Sequence, residues 1–414
     1  MTKQKLWINI SLAHLAVVAM LGLLLRSKIV FSIPFIDYRN LLAAHTHFAF
    51  NGWVSFSLFV LFTYTFIPPV QRARFVPLLW AIAISCWGML VALLLQGFGA
   101  AALIFAGVYV VAAAWFVVLF FKKMPRVTSN NPALLLVAGA LGSMVLSVAG
   151  PIMLGWLWGS GNVDAVLHRD AQYYYLHFQY NGLFTLGVFA LVFQRLFGEN
   201  APPAAWRFAM LQCAAVVPTL FLSLLWHHHP LWFDAASAVG VVLLLASLAA
   251  LWQLRQQLLH ASFLEHRLAR ILWRLVLLSF VVKSILQSGT LVPELGQAVF
   301  GLRSIIIGFL HLIFLGLVSL YLLAHYIQWK GLPARLGFTR LAVWVFTAGV
   351  LMQEALLAVQ GTSLLLGTNS PLYNWLLWVA AIMLFTGALL LFAASLQAPQ
   401  LNVNADASID LDKY

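Results

Sequence analysis

The chain has 414 residues, 63% of them hydrophobic and only 8% charged, with 23 Lys+Arg against 11 Asp+Glu. A soluble domain carries about 25% charged residues, and no soluble fold can bury this much apolar surface while its outside stays wetted. A cytosolic enzyme, a secreted disulfide scaffold and a disordered protein are thereby excluded, and Cys86 and Cys213, each inside an apolar run, offer neither a disulfide framework nor a cysteine metal site.

A bilayer core of about 30 Å needs roughly 20 apolar helical residues to cross it. Twelve runs qualify in chain order, at 6–29, 40–66, 75–97, 99–121, 132–158, 172–197, 206–227, 232–254, 270–289, 303–328, 338–360 and 373–396. Long continuous runs without apolar/polar alternation predict helices and not barrel strands. The first run follows Lys3 and Lys5 and has no small-residue cleavage site, so it reads as a span and not as a signal peptide. The segment 397–414 is polar, with Asp406, Asp410 and Asp412, and reads as a disordered tail. The expected fold is an all-α integral membrane protein, one domain over 1–396 with twelve transmembrane helices.

The basic residues are spread over many short loops, which points to membrane topology and not to nucleic acid. One side collects Lys3, Lys5, Arg72, Arg74, Lys122, Lys123, Arg126, Arg195, Arg207, Arg255, Arg267, Arg270, Arg274, Lys330, Arg335, Arg340 and Lys413. The other side has Arg26, Lys28, Arg39, Arg169 and Arg303, while Lys283 lies within a span. This asymmetry predicts cytoplasmic termini in a cell inner membrane.

With that orientation, His45 and His47 (run 2), His177 (run 6), His227, His228 and His229 (end of run 7) and His311 (run 10) all fall in or beside the outer leaflet. His14, His168, His260, His266 and His325 do not join them. Interfacial histidines can be simple polar residues near water, but ionisable residues within spans usually face a cavity, a partner or a cofactor. A repeat sharpens the pattern: His47-Phe48-Ala49-Phe50-Asn51-Gly52-Trp53-Val54-Ser55, His177-Phe178-Gln179-Tyr180-Asn181-Gly182-Leu183-Phe184-Thr185 and His311-Leu312-Ile313-Phe314-Leu315-Gly316-Leu317-Val318-Ser319. The spacing is 130 and 134 residues, four runs each time, which predicts three four-helix units with one such His on each second helix. The glycine five residues on removes a side chain where a flat group or another helix can approach.

Imidazole is the commonest haem-iron ligand and a good copper ligand. The expected pairing is His47 with His311, gripping one haem between runs 2 and 10. His45, about 200° round the helix from His47, cannot ligate from the same face, and is read as a second ligand, a hydrogen-bonding partner or a structural residue. His177 with two of His227, His228 and His229 is the candidate copper site.

The span count, the repeat and these histidines resemble subunit I of the haem–copper oxidase superfamily, which includes the nitric oxide reductases. Tyr174-Tyr175-Leu176-His177-Phe178-Gln179-Tyr180-Asn181-Gly182 is similar to the copper-ligating segment of the C-type oxidases, and Trp226-His227-His228-His229 to the paired copper ligands. His45-Thr46-His47 matches the region of the low-spin haem ligand, and His311 the haem ligands of the tenth helix. In topology the chain also resembles the NnrS family of haem–copper membrane proteins. The resemblance implies a pseudo-threefold bundle, haem b (one, or two), copper, a small gas ligand (oxygen or nitric oxide) and a cytochrome or other redox subunit as partner. It departs where the oxidases carry His-x-His on the tenth helix and this chain has Phe309 and Ile313 flanking His311, so one bis-His haem is better supported than two.

Other polar residues lie in the runs. Lys283, Ser284 and Gln287 can share a face as a proton path or, the favoured reading, as an interhelical hydrogen-bond cluster. Glu354, beside Gln353, is a candidate proton carrier or a partner for Arg303; Tyr180 lies near the face of His177; Arg39, Arg169 and Arg303 are candidates for haem propionates or for simple loop solvation. The expected function is a haem-binding membrane redox protein that reduces, binds or senses a small gas. The rivals are a haem-free transporter with the histidines along its path, and a haem or copper assembly factor.

Overall fold

Each of the twelve runs falls on a helix or on a bent helix pair. In chain order these are α1 (Lys3–Val30), α2 (Tyr38–Phe66), α3 (Pro69–Gln96), α4 (Ala100–Lys123), α5 (Pro132–Gly159), α6 (Ala165–Leu196), α7 (Pro203–Val216 and Pro218–Leu224, bent by 41°), α8 (Leu231–Gln253), α9 (Arg267–Gly289), α10 (Arg303–Gln328), α11 (Gly337–Leu365) and α12 (Leu372–Gln397). The structure is a computed structural model that describes residues 3–125, 130–260 and 265–397. Arg126, Lys413 and the expected tail beyond Gln397 lie outside the described residues. Among the described residues there is no strand, and ten helices are long and apolar enough to cross a membrane, or up to eleven with the bent pair α7. The chain is an all-α multi-pass membrane protein.

Local chemistry sets the helix starts. Asp37 accepts from the Asn40 amide at 2.8 Å, Asn131 from Ala133 at 3.1 Å, and Asp164 from Val166 and Leu167 at 2.8 and 3.2 Å, each capping orphan N–H groups. The Asp164 cap starts α6 seven residues before the predicted 172, because the first turns, with His168, Arg169 and Asp170, are polar and escape a hydropathy reading.

Burial separates an inner from an outer set. In their most apolar windows, 89% of α2 and 94% of α6 is buried, against 33% for α4 and α12. Outer helices expose Ile104, Val111, Trp115, Val242 and Trp252, an apolar exterior that suits lipid and not water. The inner helices α2, α6 and α10 meet at Phe50, Phe184 and Phe314, whose ring centroids lie 4.4–5.7 Å apart. Around them α3 pairs with α4, α7 with α8 and α11 with α12 as antiparallel hairpins. The last helix, α12, packs along α1, with Trp378 Nε1 donating to Ser27 Oγ at 3.0 Å.

The three inner helices share one irregularity. Immediately after His47, His177 and His311 the backbone widens to π-helix, over Phe48–Ser55, Phe178–Phe184 and Leu312–Ser319. π turns are rare and concentrate at functional sites. In two of the three a hydroxyl at the repeat's last position closes the widened turn: Thr185 Oγ1 donates to Tyr180 O at 2.6 Å and Ser319 Oγ to Phe314 O at 2.7 Å, each five residues back, while Ser55 Oγ makes no such bond. Trp53 Nε1 donates to Ser319 Oγ at 2.9 Å, tying α2 to α10. The repeat's glycines meet the preceding long helix each time. Gly52 O accepts from His14 Nδ1 on α1 at 2.6 Å, Gly182 backs onto Ser143 of α5, and a Cβ at Gly316 would stand 2.5 Å from Ser279 Oγ on α9.

Candidate functional site

The π turn and the neighbouring helices fix where each histidine points. His45 faces α1: its Nδ1 donates to Val18 O at 3.1 Å, and Gly22 leaves room for the ring, since a Cβ there would stand 3.2 Å from His45 Cε1. His311 Nδ1 donates to Ile307 O at 2.8 Å. A carbonyl only accepts, so both rings carry their proton on Nδ1, and neither Nε2 has a hydrogen-bond partner among the described residues. His45 and His311 lie within Coulombic reach of each other and of Arg26. Both are half-buried although deep in the bundle, and no residue from Arg303 to His311 is fully buried. The first half of α10 is therefore loosely packed.

The residues at the Arg303 end of this segment are basic. Arg303 Nη2 donates to Tyr38 Oη at 3.4 Å and its guanidinium stands 5.8 Å from the Tyr38 ring centre, while Arg26 lies within Coulombic reach of both. On the α11 side, Gly308 faces Leu357 and Gly361 faces Ile305. This antiparallel register puts Glu354 level with His311, and Glu354 Oε1 is buried without a partner. Glu354 does not pair with Arg303, whose hydrogen bond goes to Tyr38.

Of the two histidines of α2, it is His45 and not His47 that lies within Coulombic reach of His311. Two residues along a helix turn the side chain by about 200°, and here His47 points to Phe98 in the α3–α4 link, with ring centroids 5.5 Å apart. Arg39 is exposed, and Arg169 stacks over Trp226 with its guanidinium 4.4 Å from the ring centre.

The candidate copper ligands are not brought together. His177 is buried with both nitrogens engaged: Nε2 donates to Val216 O at 2.7 Å, and Nδ1 accepts from Asn181 Nδ2 at 3.1 Å. His227 Nε2 meets Asp170 Oδ2 at 2.9 Å, His229 Nε2 meets Asp234 Oδ1 at 3.2 Å, and His228 is exposed. Asp170 precedes His177 by seven residues, roughly 10 Å along a helix, which separates the outer run from His177. Among the described residues no group of three His, Cys, Asp or Glu side chains is placed to hold a metal ion. Tyr180 packs edge-on to His177 with centroids at 5.7 Å, and its hydroxyl lies 3.5 Å from Ser223 Oγ.

Two residues escaped the sequence reading. Arg26 was counted only as a loop charge, although it sits within the last turns of α1. His14 was set aside, yet it is fully buried, donating from Nδ1 to Gly52 O and accepting at Nε2 from Trp87 Nε1 at 2.9 Å. For His14 the available signal was a polar ring flanked by Leu12, Ala13, Leu15 and Ala16, whereas Arg26, followed by Ser27 and Lys28, looks like the edge of a loop. No family model matches the chain, and no curated protein matches it.

Proposed function

We propose that the chain is a haem-binding redox protein of the cytoplasmic membrane in which His45 and His311 would hold one b-type haem between α2 and α10. It reduces, binds or senses a small gas, oxygen or nitric oxide, drawing electrons from a cytochrome or other redox subunit. The observation that carries this reading is the pair of anchored imidazoles, each with Nδ1 donated to a backbone carbonyl and Nε2 left without a hydrogen-bond partner among the described residues. That is the tautomer a metal-ligating histidine needs, and the carbonyl raises the basicity of the free nitrogen.

The surrounding residues fit the same group. Haem, once bound, supplies a one-electron centre and an iron that interacts with diatomic gases. Arg26, and Arg303 with Tyr38, offer charge-assisted donors to carboxylates such as propionates at the Arg303 end. Glu354, level with His311 and with Oε1 buried without a partner, would hold or release a proton beside the bound group. A copper ion at His177 would require that ring to release Val216 and Asn181, and is no part of the proposal.

Counting α9 and the bent α7 with the ten gives twelve spans in three units of four, an arrangement that resembles subunit I of the haem–copper oxidases. The three π turns and the three hairpins support that reading. The basic-residue asymmetry supports cytoplasmic termini, with the Arg303 end of α10 outside. The test is an absorption spectrum, reduced minus oxidised, of protein purified from haem-replete cells, with iron counted on the same sample. Sharp b-type bands and about one haem iron per chain are expected; a colourless, iron-free protein would remove the proposal.

A further inference from the structure

The outward side of α9 carries its charges on one face. Arg267, Arg270 and Arg274 are all exposed, and Leu278, Val281 and Ile285 continue the same line, exposed at 58%, 37% and 57%. At about 100° per residue, these six positions fall within about 80° of one another around the helix. The opposite side is buried, through Ala269, Leu272, Trp273, Val276, Phe280 and Lys283. The hydrogen-bond cluster expected of Lys283, Ser284 and Gln287 does not form there. Ser284 Oγ donates to Phe280 O at 2.8 Å, and neither Lys283 Nζ nor the Gln287 amide has a hydrogen-bond partner among the described residues.

The three guanidiniums are uncompensated. Arginine stays charged in proteins, and the ion pairs among the described residues are His227 with Asp170 and His229 with Asp234, so none of the three has an acidic partner there. They stand three and four residues apart, where like charges on a helix repel, and an anion held between them reverses that repulsion. A basic excess on one side of a membrane follows from topology alone, but topology sets a count and not a face. Here the three share the face whose apolar continuation is turned outward. From Arg274 to Ile285 the stripe runs eleven residues, roughly 16 Å, about half of a hydrocarbon core of about 30 Å. The matching ligand is an amphiphile of one leaflet, with an anionic head at the arginines and a hydrocarbon chain along Leu278, Val281 and Ile285. Free phosphate would leave the apolar part of the stripe unused.

We infer that this face of α9 is a binding surface for an anionic phospholipid, with its phosphate between the three arginines and an acyl chain along the apolar stripe. The surface is independent of the haem proposal, and its readout involves no chromophore. The full-length protein, delipidated in non-ionic detergent at low salt, would be heated with increasing phosphatidylglycerol, with phosphatidylcholine, or with inorganic phosphate. Phosphatidylglycerol should raise the unfolding midpoint by about 2 °C or more beyond phosphatidylcholine, saturating with lipid and weakening in high salt. Inorganic phosphate should give no such rise. Combined Arg267→Gln, Arg270→Gln and Arg274→Gln should abolish the excess. Combined Arg74→Gln, Lys122→Gln and Arg340→Gln, which remove three exposed cations from α3, α4 and α11, should keep it. Equal rises with the two lipids, an undiminished excess in the α9 variant, or an equal loss in the second variant overturns the surface. A rise with phosphate equal to that with phosphatidylglycerol overturns a lipid as its occupant. If the triple α9 variant does not fold, Arg270→Gln decides, and an undiminished excess there overturns the surface equally.

Discussion

Replacing Gly182 by alanine tests whether the repeat glycine exists for helix approach. The added Cβ would collide with Ser143 Cβ and Oγ on α5, and rotating the hydroxyl cannot relieve a clash with Cβ. Overpacking of this kind costs about 1–3 kcal/mol, while Gly→Ala in a helix returns about 1 kcal/mol of propensity. The single substitution should therefore cost roughly 0–2 kcal/mol, an ambiguous number alone. A double-mutant cycle removes the ambiguity, because Ser143→Gly deletes the colliding atoms and leaves the propensity gain intact. Gly182→Ala should be stabilising in the Ser143→Gly background, with a coupling of about 1–3 kcal/mol, whereas Ser143→Ala, which keeps the Cβ, should not rescue. The assay is SDS-induced unfolding in mixed micelles, followed by helicity. Coupling within about 0.5 kcal/mol of zero would refute the close approach of α5 and α6 at this glycine.

His14→Phe keeps a ring against Phe48 and Phe56 but strands the Gly52 carbonyl and the Trp87 indole; a loss of about 1–3 kcal/mol is expected in the same assay, with haem content per folded chain unchanged. Asp170→Asn weakens a His227 contact whose side chains are 22% and 24% exposed, so unfolding should shift by no more than about 1 kcal/mol. In a Cys86→Ala, Cys213→Ala background, an impermeant maleimide on intact cells should label Val163→Cys, in the α5–α6 link, and reach Ala73→Cys, at the start of α3, only after permeabilisation; the opposite pattern would invert the topology.

The helices were legible because long apolar runs without alternation form helices in lipid, and ten of them, or eleven with the bent α7, are long and apolar enough to cross a membrane. The start of α6 was not, since Asp164 caps turns that read as loop. The repeat located the three irregular turns by residue but carried no mark of the π conformation. That depends on which carbonyls the neighbouring helices leave free, and His14 on Gly52 is such a contact, made across 38 residues. The choice between His45 and His47 lay beyond periodicity, which sets their relative angle and not the rotation of α2 in the bundle. The grouping of His177 with the run at His227 failed because adjacency of α6 and α7 fixes neither depth nor which partners the rings take first.

The central claim rests on which imidazoles would hold the haem. Haem per chain, measured by pyridine haemochromogen on His45→Ala, His47→Ala and His311→Ala proteins of equal folded yield, tests it most directly. The account predicts loss of haem, or its conversion to a high-spin spectrum, in His45→Ala and His311→Ala, and wild-type bands in His47→Ala. Retention in His45→Ala with loss in His47→Ala would contradict it.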